Sequence, residues 1–376
     1  MSEYQYYEFQ AIDRPLSEAD RRALRDLSTR ARITATSFTN SYEWGDFKGD
    51  PAKLMERWFD LHLYVANWGS RRMMIRLPAR MIDRHLLEAF LREVNCAELK
   101  VAGENLILDI GRDEVESEDW DDDGSGWLAA LTPLRAEVLA GDLRLFYLLW
   151  LTAVEADIVA ADELEPMPGI GPMTTGLEAF TEFFGIDPDL VDAAAERSVV
   201  GSAISADAAR SVIAAMPDRE KTGLLVQLFE GAPHVTAELR AEVRKRLGPE
   251  TVAPPVAART AGELRARARA IRLARERADA DKAAAERKRQ AEEAEKVRRA
   301  RLDAVARRGE SGWREVESEI ERRNPGGYDK AASLLFDLKA IAEESGTIED
   351  FLRRLRTIRE RHVRKERFIE RLAALG

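Results

Sequence analysis

Asp119, Asp121 and Asp123 alternate ahead of Gly124 and Ser125, the spacing with which carboxylates and a turn glycine open a calcium-binding loop. Such a loop closes on a bidentate Glu; here that place falls on Ala130, and the hydrophobic anchor place on Gly126. The pattern therefore favours a solvated acidic loop over a cation site. Gly169-Ile-Gly-Pro-Met-Thr-Thr-Gly176 sets glycines and hydroxyls before a helix, as a phosphate cradle would. It has no Walker lysine and no strand ahead of it, so a connector ending in a helix cap is the better reading. The four histidines, His62, His85, His234 and His362, are scattered, and the single cysteine, Cys96, has no histidine near it in sequence. No nucleophile–base spacing is present.

Two basic groupings remain. Trp44, Trp58 and Trp68, with Tyr42, Phe47, Arg71 and Arg72, concentrate aromatic and guanidinium groups that could stack single-stranded bases. Nearby aspartates favour core packing and loop anchoring there. Farther on, Arg265, Arg269 and Arg272 share a helical stripe, and Arg287-Lys288-Arg289 and Arg298-Arg299-Ala300-Arg301 add clusters. Glu and Asp are interleaved with them, as in solvated helices laced by i,i+4 pairs. A protein-docking or spacer helix is the first reading, phosphate contact the second.

These residues sit on a chain whose charge is split. Residues 257–376 hold 31 Lys and Arg against 23 Asp and Glu, a net of +8, while residues 1–256 carry −18. One cysteine excludes an internal disulfide framework. Met1-Ser-Glu-Tyr-Gln lacks a secretion-signal pattern, and the longest apolar run, Leu145–Val154, is half a bilayer span. A cytoplasmic protein with no membrane contact and no cofactor is expected.

The elements that must position these groups follow an α+β plan. Residues 1–112 read as a small mixed domain. Its strands are expected near Tyr4–Ile12, Arg32–Phe38, His62–Asn67, Met73–Leu77, Glu98–Val101 and Leu106–Ile110. Ser17-x-x-Asp20 and Asp50-Pro51 are helix starts, and Asp83–Val94 is an amphipathic helix. An acidic loop over 113–126 leads to a helical domain at 127–247, then a Pro-rich linker at 248–257. Thr260-x-x-Glu263 caps a charged helix over 258–308, a single helix or weak coiled coil about 68 Å long at 1.5 Å per residue. Residues 309–376 read as three helices, turned at Asn324-Pro-Gly-Gly327 and at Gly346-Thr347, with Thr347-x-x-Asp350 as a cap.

Several of these segments resemble known sequences. Tyr4–Leu16, Thr36–Pro51, Tyr64–Leu77, Gly141–Val154, Glu165–Gly171 and Phe184–Glu196 resemble a family of uncharacterised bacterial proteins. The tail, through Trp313, Tyr328, Leu335, Phe351, Arg359, His362 and Lys365 among others, is similar to the carboxyl-terminal helices of bacterial SWIM zinc-finger proteins. The zinc finger itself needs cysteines this chain lacks, so the resemblance implies a helical docking module only. Trp313, Tyr328, Arg359, His362 and Lys365 are its candidate contacts.

The sequence thus predicts a non-enzymatic adaptor. It would dock another cytoplasmic protein, of SWIM type by the shared tail, through the basic helix and tail. Nucleic-acid binding by the Arg-rich helix is the alternative, an unrecognised enzyme the next, and self-association stays open.

Overall fold

The computed structural model describes residues 3–115, 123–198, 206–231, 234–247 and 257–375. The fold is α+β: a seven-stranded antiparallel sheet followed by helices. Two compact units divide it, Met1–Ala274 and Arg275–Gly376.

In the first unit the strands are β1 Gln5–Gln10, β2 Arg32–Ile33, β3 Ser37–Tyr42, β4 Leu61–Ala66, β5 Arg71–Pro78, β6 Ala97–Ala102 and β7 Asn105–Arg112. Their order is β2-β3-β1-β4-β5-β7-β6. The expected strand over Arg32–Phe38 is instead a hairpin of β2 and β3. Thr34 explains the break: its Oγ1 accepts from Thr36 N at 3.1 Å and pairs with Ser37 Oγ at 2.7 Å. A threonine that bonds its own backbone neighbours offers the chain a turn in place of a ladder.

Helix α1, Glu18–Leu27, opens on the full Ser17–Asp20 capping box, and α2, Pro51–Arg57, on Asp50 with proline at its first turn. α1 and α2 cover one end of one sheet face, around Phe9, Phe38, Met74 and Ile107. The opposite face carries Tyr6, Leu63, Val65, Met73, Ile75, Leu108 and Ile110. Against it pack α3 (Arg84–Phe90), α4 (Trp127–Leu139), α5 (Arg144–Glu155), α6 (Thr175–Phe183) and α7 (Pro188–Ala195). Sheet and middle helices therefore share one core. Leu145–Val154 forms the buried helix that its apolarity demands, all ten residues being buried in α5.

The Pro/Gly connector is irregular, as expected, but its centre is buried. A Cβ on Gly169, whose φ is +122°, would lie 2.3 Å from Arg197 O, and one on Gly171 would lie 2.3 Å from Ala195 O. Close backbone approach thus accounts for both glycines, and Thr174 caps α6. Helices α8 (Ala206–Ala215), α9 (Asp218–Phe229) and α10 (Val235–Leu247) follow. His234, ahead of α10, meets Asp13 with its Nε2 2.9 Å from Oδ2, and Arg80 pairs with Glu238 at 3.0 Å.

Helix α11, Ala261–Ala306, begins with the reciprocal Thr260–Glu263 capping bonds at 3.1 and 2.8 Å. Its first turns belong to the sheet unit's core, through Ala261, Leu264 and Ala268. In the second unit, Leu302 and Val305 near the other end of α11 are buried. There α12 (Glu310–Glu321), α13 (Pro325–Ser345), α14 (Ile348–Arg361) and α15 (Glu366–Arg371) close a core around Val316, Ile320, Leu335, Phe351, Leu355 and Phe368. Asn324 caps α13 and Pro325 occupies its first turn, so Pro-Gly-Gly lies inside the helix rather than in a loop. Gly327 is needed there, because a Cβ would lie 2.5 Å from Glu319 O. The expected Thr347 cap does not form: Thr347 Oγ1 pairs with Ser345 Oγ at 2.8 Å and makes no side-chain cap bond. Among the described residues no helix is long and apolar enough to cross a membrane.

Candidate functional site

The acidic loop is only partly in view. Asp119 and Asp121 lie outside the described residues. Asp123 is held locally: its Oδ1 accepts from Ser125 N at 2.9 Å, and these Ser125 bonds keep its carboxyl below the usual range. Among the described residues no group of His, Cys, Asp or Glu could hold a metal ion.

The basic stripe at the start of α11 is tied down. Arg265 donates to Val154 O and Val159 O at 3.0 and 2.8 Å, closing the carboxyl end of α5. Arg272 spans Asp187 and Asp189 at the amino end of α7. Arg269, between them, is exposed. From Arg272 to Arg301 every residue of α11 is exposed. That stretch carries eleven bases and seven acids. Its internal pairs are long: Lys288–Glu292 and Arg289–Glu286 at 3.9 Å, Arg298–Glu295 at 3.6 Å. Arg287 has no acidic partner among the described residues. Arg299 reaches Glu344 at 2.9 Å and Arg301 reaches Asp337 at 2.7 Å, both within the second unit.

The five tail residues are fastened to their own module. Trp313 packs on Phe351 with ring centres 5.7 Å apart, beneath Arg354. Tyr328 is buried against Phe368. Arg359 donates to Leu372 O at 2.9 Å, and Lys365 donates to Ile320 O at 3.2 Å and pairs with Glu321 at 3.0 Å. His362, 4 % exposed, meets Glu317 at 2.8 Å. Their aromatic and charged character, read as docking chemistry, serves packing. The exposed apolar side chains of the module are others, among them Phe336, Leu352 and Val363.

The aromatic-basic grouping separates in the same way. Trp58 is buried, donating Nε1 to Asp20 at 2.7 Å under Arg57. Arg71 lies over the Phe183 ring. Trp44 and Trp68 are 74 % and 48 % exposed. Arg72 lines an open cleft of about 460 Å³ at the uncovered end of the sheet face that α1 and α2 cover elsewhere. The cleft is lined by Tyr7, Phe47, His62, Tyr64, Arg72 and Gly111, with Ser70 and Asp113 among its remaining walls. Tyr7 and Tyr64 were absent from the sequence grouping; their signal was their alternation on β1 and β4, which puts them side by side.

The electrostatics of the cleft are nearly balanced. Arg72 donates to Asp109 from Nε and Nη2 at 2.8 and 2.7 Å, and Lys100 reaches the same carboxylate at 3.2 Å. Burial pushes Asp109 up, but its bonds from Arg72 and Lys100 outweigh that and hold it below the usual range. Ser70 Oγ donates to Asp113 at 2.5 Å. His62 is fully buried, and burial pushes its pKa down to about 3, so it is neutral at pH 7 and no general acid. Burial likewise raises the Cys96 thiol, which pairs with Thr152 Oγ1 at 3.3 Å.

No protein family, no curated protein and no solved structure matches the chain. Function must be argued from the surfaces themselves.

Proposed function

We propose that the protein is a non-enzymatic adaptor that docks another protein through the exposed middle of α11. One observation carries this reading: the unbroken exposure of Arg272–Arg301, with a net charge of +4. Pairs at 3.6–3.9 Å between exposed side chains contribute little, so Lys288, Arg289 and Arg298, beside Arg287, can exchange helix partners for a partner's carboxylates. The partner's docking face is acidic. The tail's resemblance to SWIM-type proteins supports a partner of that kind, and the acidic front of a second copy has the same complementarity.

Charge reversal at Arg287, Lys288 and Arg289 tests the reading, because these residues support no packing. Capture from the native host should recover one protein with the parent chain and lose it with the reversed chain. Equal recovery by both, or no specific partner for either, contradicts it.

Nucleic acid is the second reading, favoured by the consecutive exposed bases Arg287, Lys288 and Arg289. It requires retention on nucleic acid at low ionic strength that falls steeply as salt rises. The absence of a mobility shift at low salt excludes it.

A further inference from the structure

The open end of the sheet has the construction of a ligand site. Tyr7, Tyr64, Arg72 and Gly111 form one row on adjacent strands, since Tyr7 pairs with Tyr64, Tyr64 with Arg72, and Arg72 with Gly111. Three flat side chains therefore stand side by side, the two phenol rings 4.8 Å apart. Phe47, 5.1 Å from Tyr7, forms a wall, and Gly49 lets the chain pass over its ring.

The row ends in a glycine that the backbone does not demand. The φ of Gly111 lies outside the left-handed region, and a Cβ there would meet only Arg71 O, at 3.9 Å. A strand gains from a β-branched residue at such a place. The glycine instead leaves the floor open beside the guanidinium.

His62 supplies an independent sign. Its Nδ1 lies 3.0 Å from Glu8 O, which can only accept, so Nδ1 carries the proton and Nε2 a lone pair. That lone pair is buried and has no donor among the described residues, although the ring lines the cleft. A buried acceptor left in this way calls for an explanation.

The ligand follows from these features. Arg72 is neutralised by Asp109, Arg112 meets Glu155 at 3.4 Å, Arg71 lies over the Phe183 ring and Asp113 is engaged by Ser70, so the charges around the cleft are largely committed to one another. A flat, nearly neutral ring with an N–H at its edge fits both the platform and the acceptor. We infer that the cleft binds a nucleobase, which stacks on Tyr64 and Arg72 and donates a ring-edge N–H to His62. The volume suits a ring of that size with its sugar outside. The same ring could arrive as a free nucleoside or within a single strand.

The full chain titrated with adenosine, guanosine, cytidine and uridine, by calorimetry and tryptophan fluorescence, tests the inference. At least one nucleoside should saturate with Kd below about 1 mM. Tyr64→Ala and Gly111→Val should each weaken it at least about tenfold, the loss of one stacked base. Gly111→Val, whose Cβ would meet nothing nearer than Arg71 O at 3.9 Å, decides the matter if Tyr64→Ala unfolds. A ten-residue single-stranded RNA of the preferred base then separates the sources: tighter binding than the nucleoside assigns the base to a strand, equal or weaker binding to a free molecule. No saturation by any of these probes, or binding unchanged by Gly111→Val, overturns the inference.

Discussion

Glu165 and Arg259 stand 94 residues apart in sequence and meet inside the first unit, with Arg259 Nη2 3.0 Å from Glu165 Oε2. Arg259 N also donates to Glu165 Oε1 at 2.8 Å, and Tyr147 Oη to Oε2 at 2.6 Å. From Nη1 the guanidinium donates to Ala193 O at the end of α7. One carboxylate thus joins the core helix α5, the Pro/Gly connector and the residues that start α11.

Arg259 is the main partner of this buried carboxylate, with Arg197 farther off at 3.6 Å, so its removal leaves the charge poorly paired. Arg259→Met should lower unfolding free energy by about 3–5 kcal/mol in urea denaturation of the full chain. A loss under about 1 kcal/mol would show that the pair does not anchor the start of α11.

His62 makes stability depend on pH. Its folded pKa, about 3, lies below the unfolded value of about 6.5, so between them only the unfolded chain binds the proton. This contribution is complete above the unfolded pKa and is lost as pH falls toward 3, at about 1.4 kcal/mol per pH unit. Denaturation between pH 6 and 4 should be steeper by that amount for the parent than for His62→Leu; equal slopes would contradict the neutral buried ring.

The tail core separates packing from surface. Leu335→Ala should cost about 2–5 kcal/mol, because Leu335 is fully buried in the second unit. Val363→Ser, at an exposed side chain, should stay within about 0.5 kcal/mol. Thermal unfolding followed at Trp313 distinguishes the two.

Much of this architecture was legible in sequence, and the failures have local causes. Ser17, Asp50 and Thr260 cap where the sequence placed them, since a cap depends only on residues a few positions apart. Thr347 failed because Ser345, two residues back, competes for its hydroxyl. The hairpin at Thr34 was hidden because its turn, Thr34-Ala35-Thr36, contains no glycine and carries β-branched residues that read as strand. Sites were less legible than elements. Trp313, Tyr328 and His362 carry binding chemistry by type, yet packing absorbed it, and burial is a property of the partner helix. Arg265 and Arg272 likewise sit on a periodic stripe, but the carbonyls and aspartates they meet are over 80 residues away in sequence.

Gly169 offers a backbone test. With φ at +122° and Arg197 O in the way, Gly169→Ala should leave little folded protein, whereas Gly223→Ala, with open space around it, should fold. Circular dichroism of the two variants checks this, and a stable Gly169→Ala would contradict the close approach of connector and chain.

The adaptor reading rests on the exposed bases of α11, and affinity for its captured partner measures it most directly. Titration of that partner with the parent chain and with R287E/K288E/R289E should give a Kd at least about tenfold weaker for the variant, equivalent to about 1.4 kcal/mol. The melting temperature should be unchanged. Identical affinities for the two chains would contradict the account.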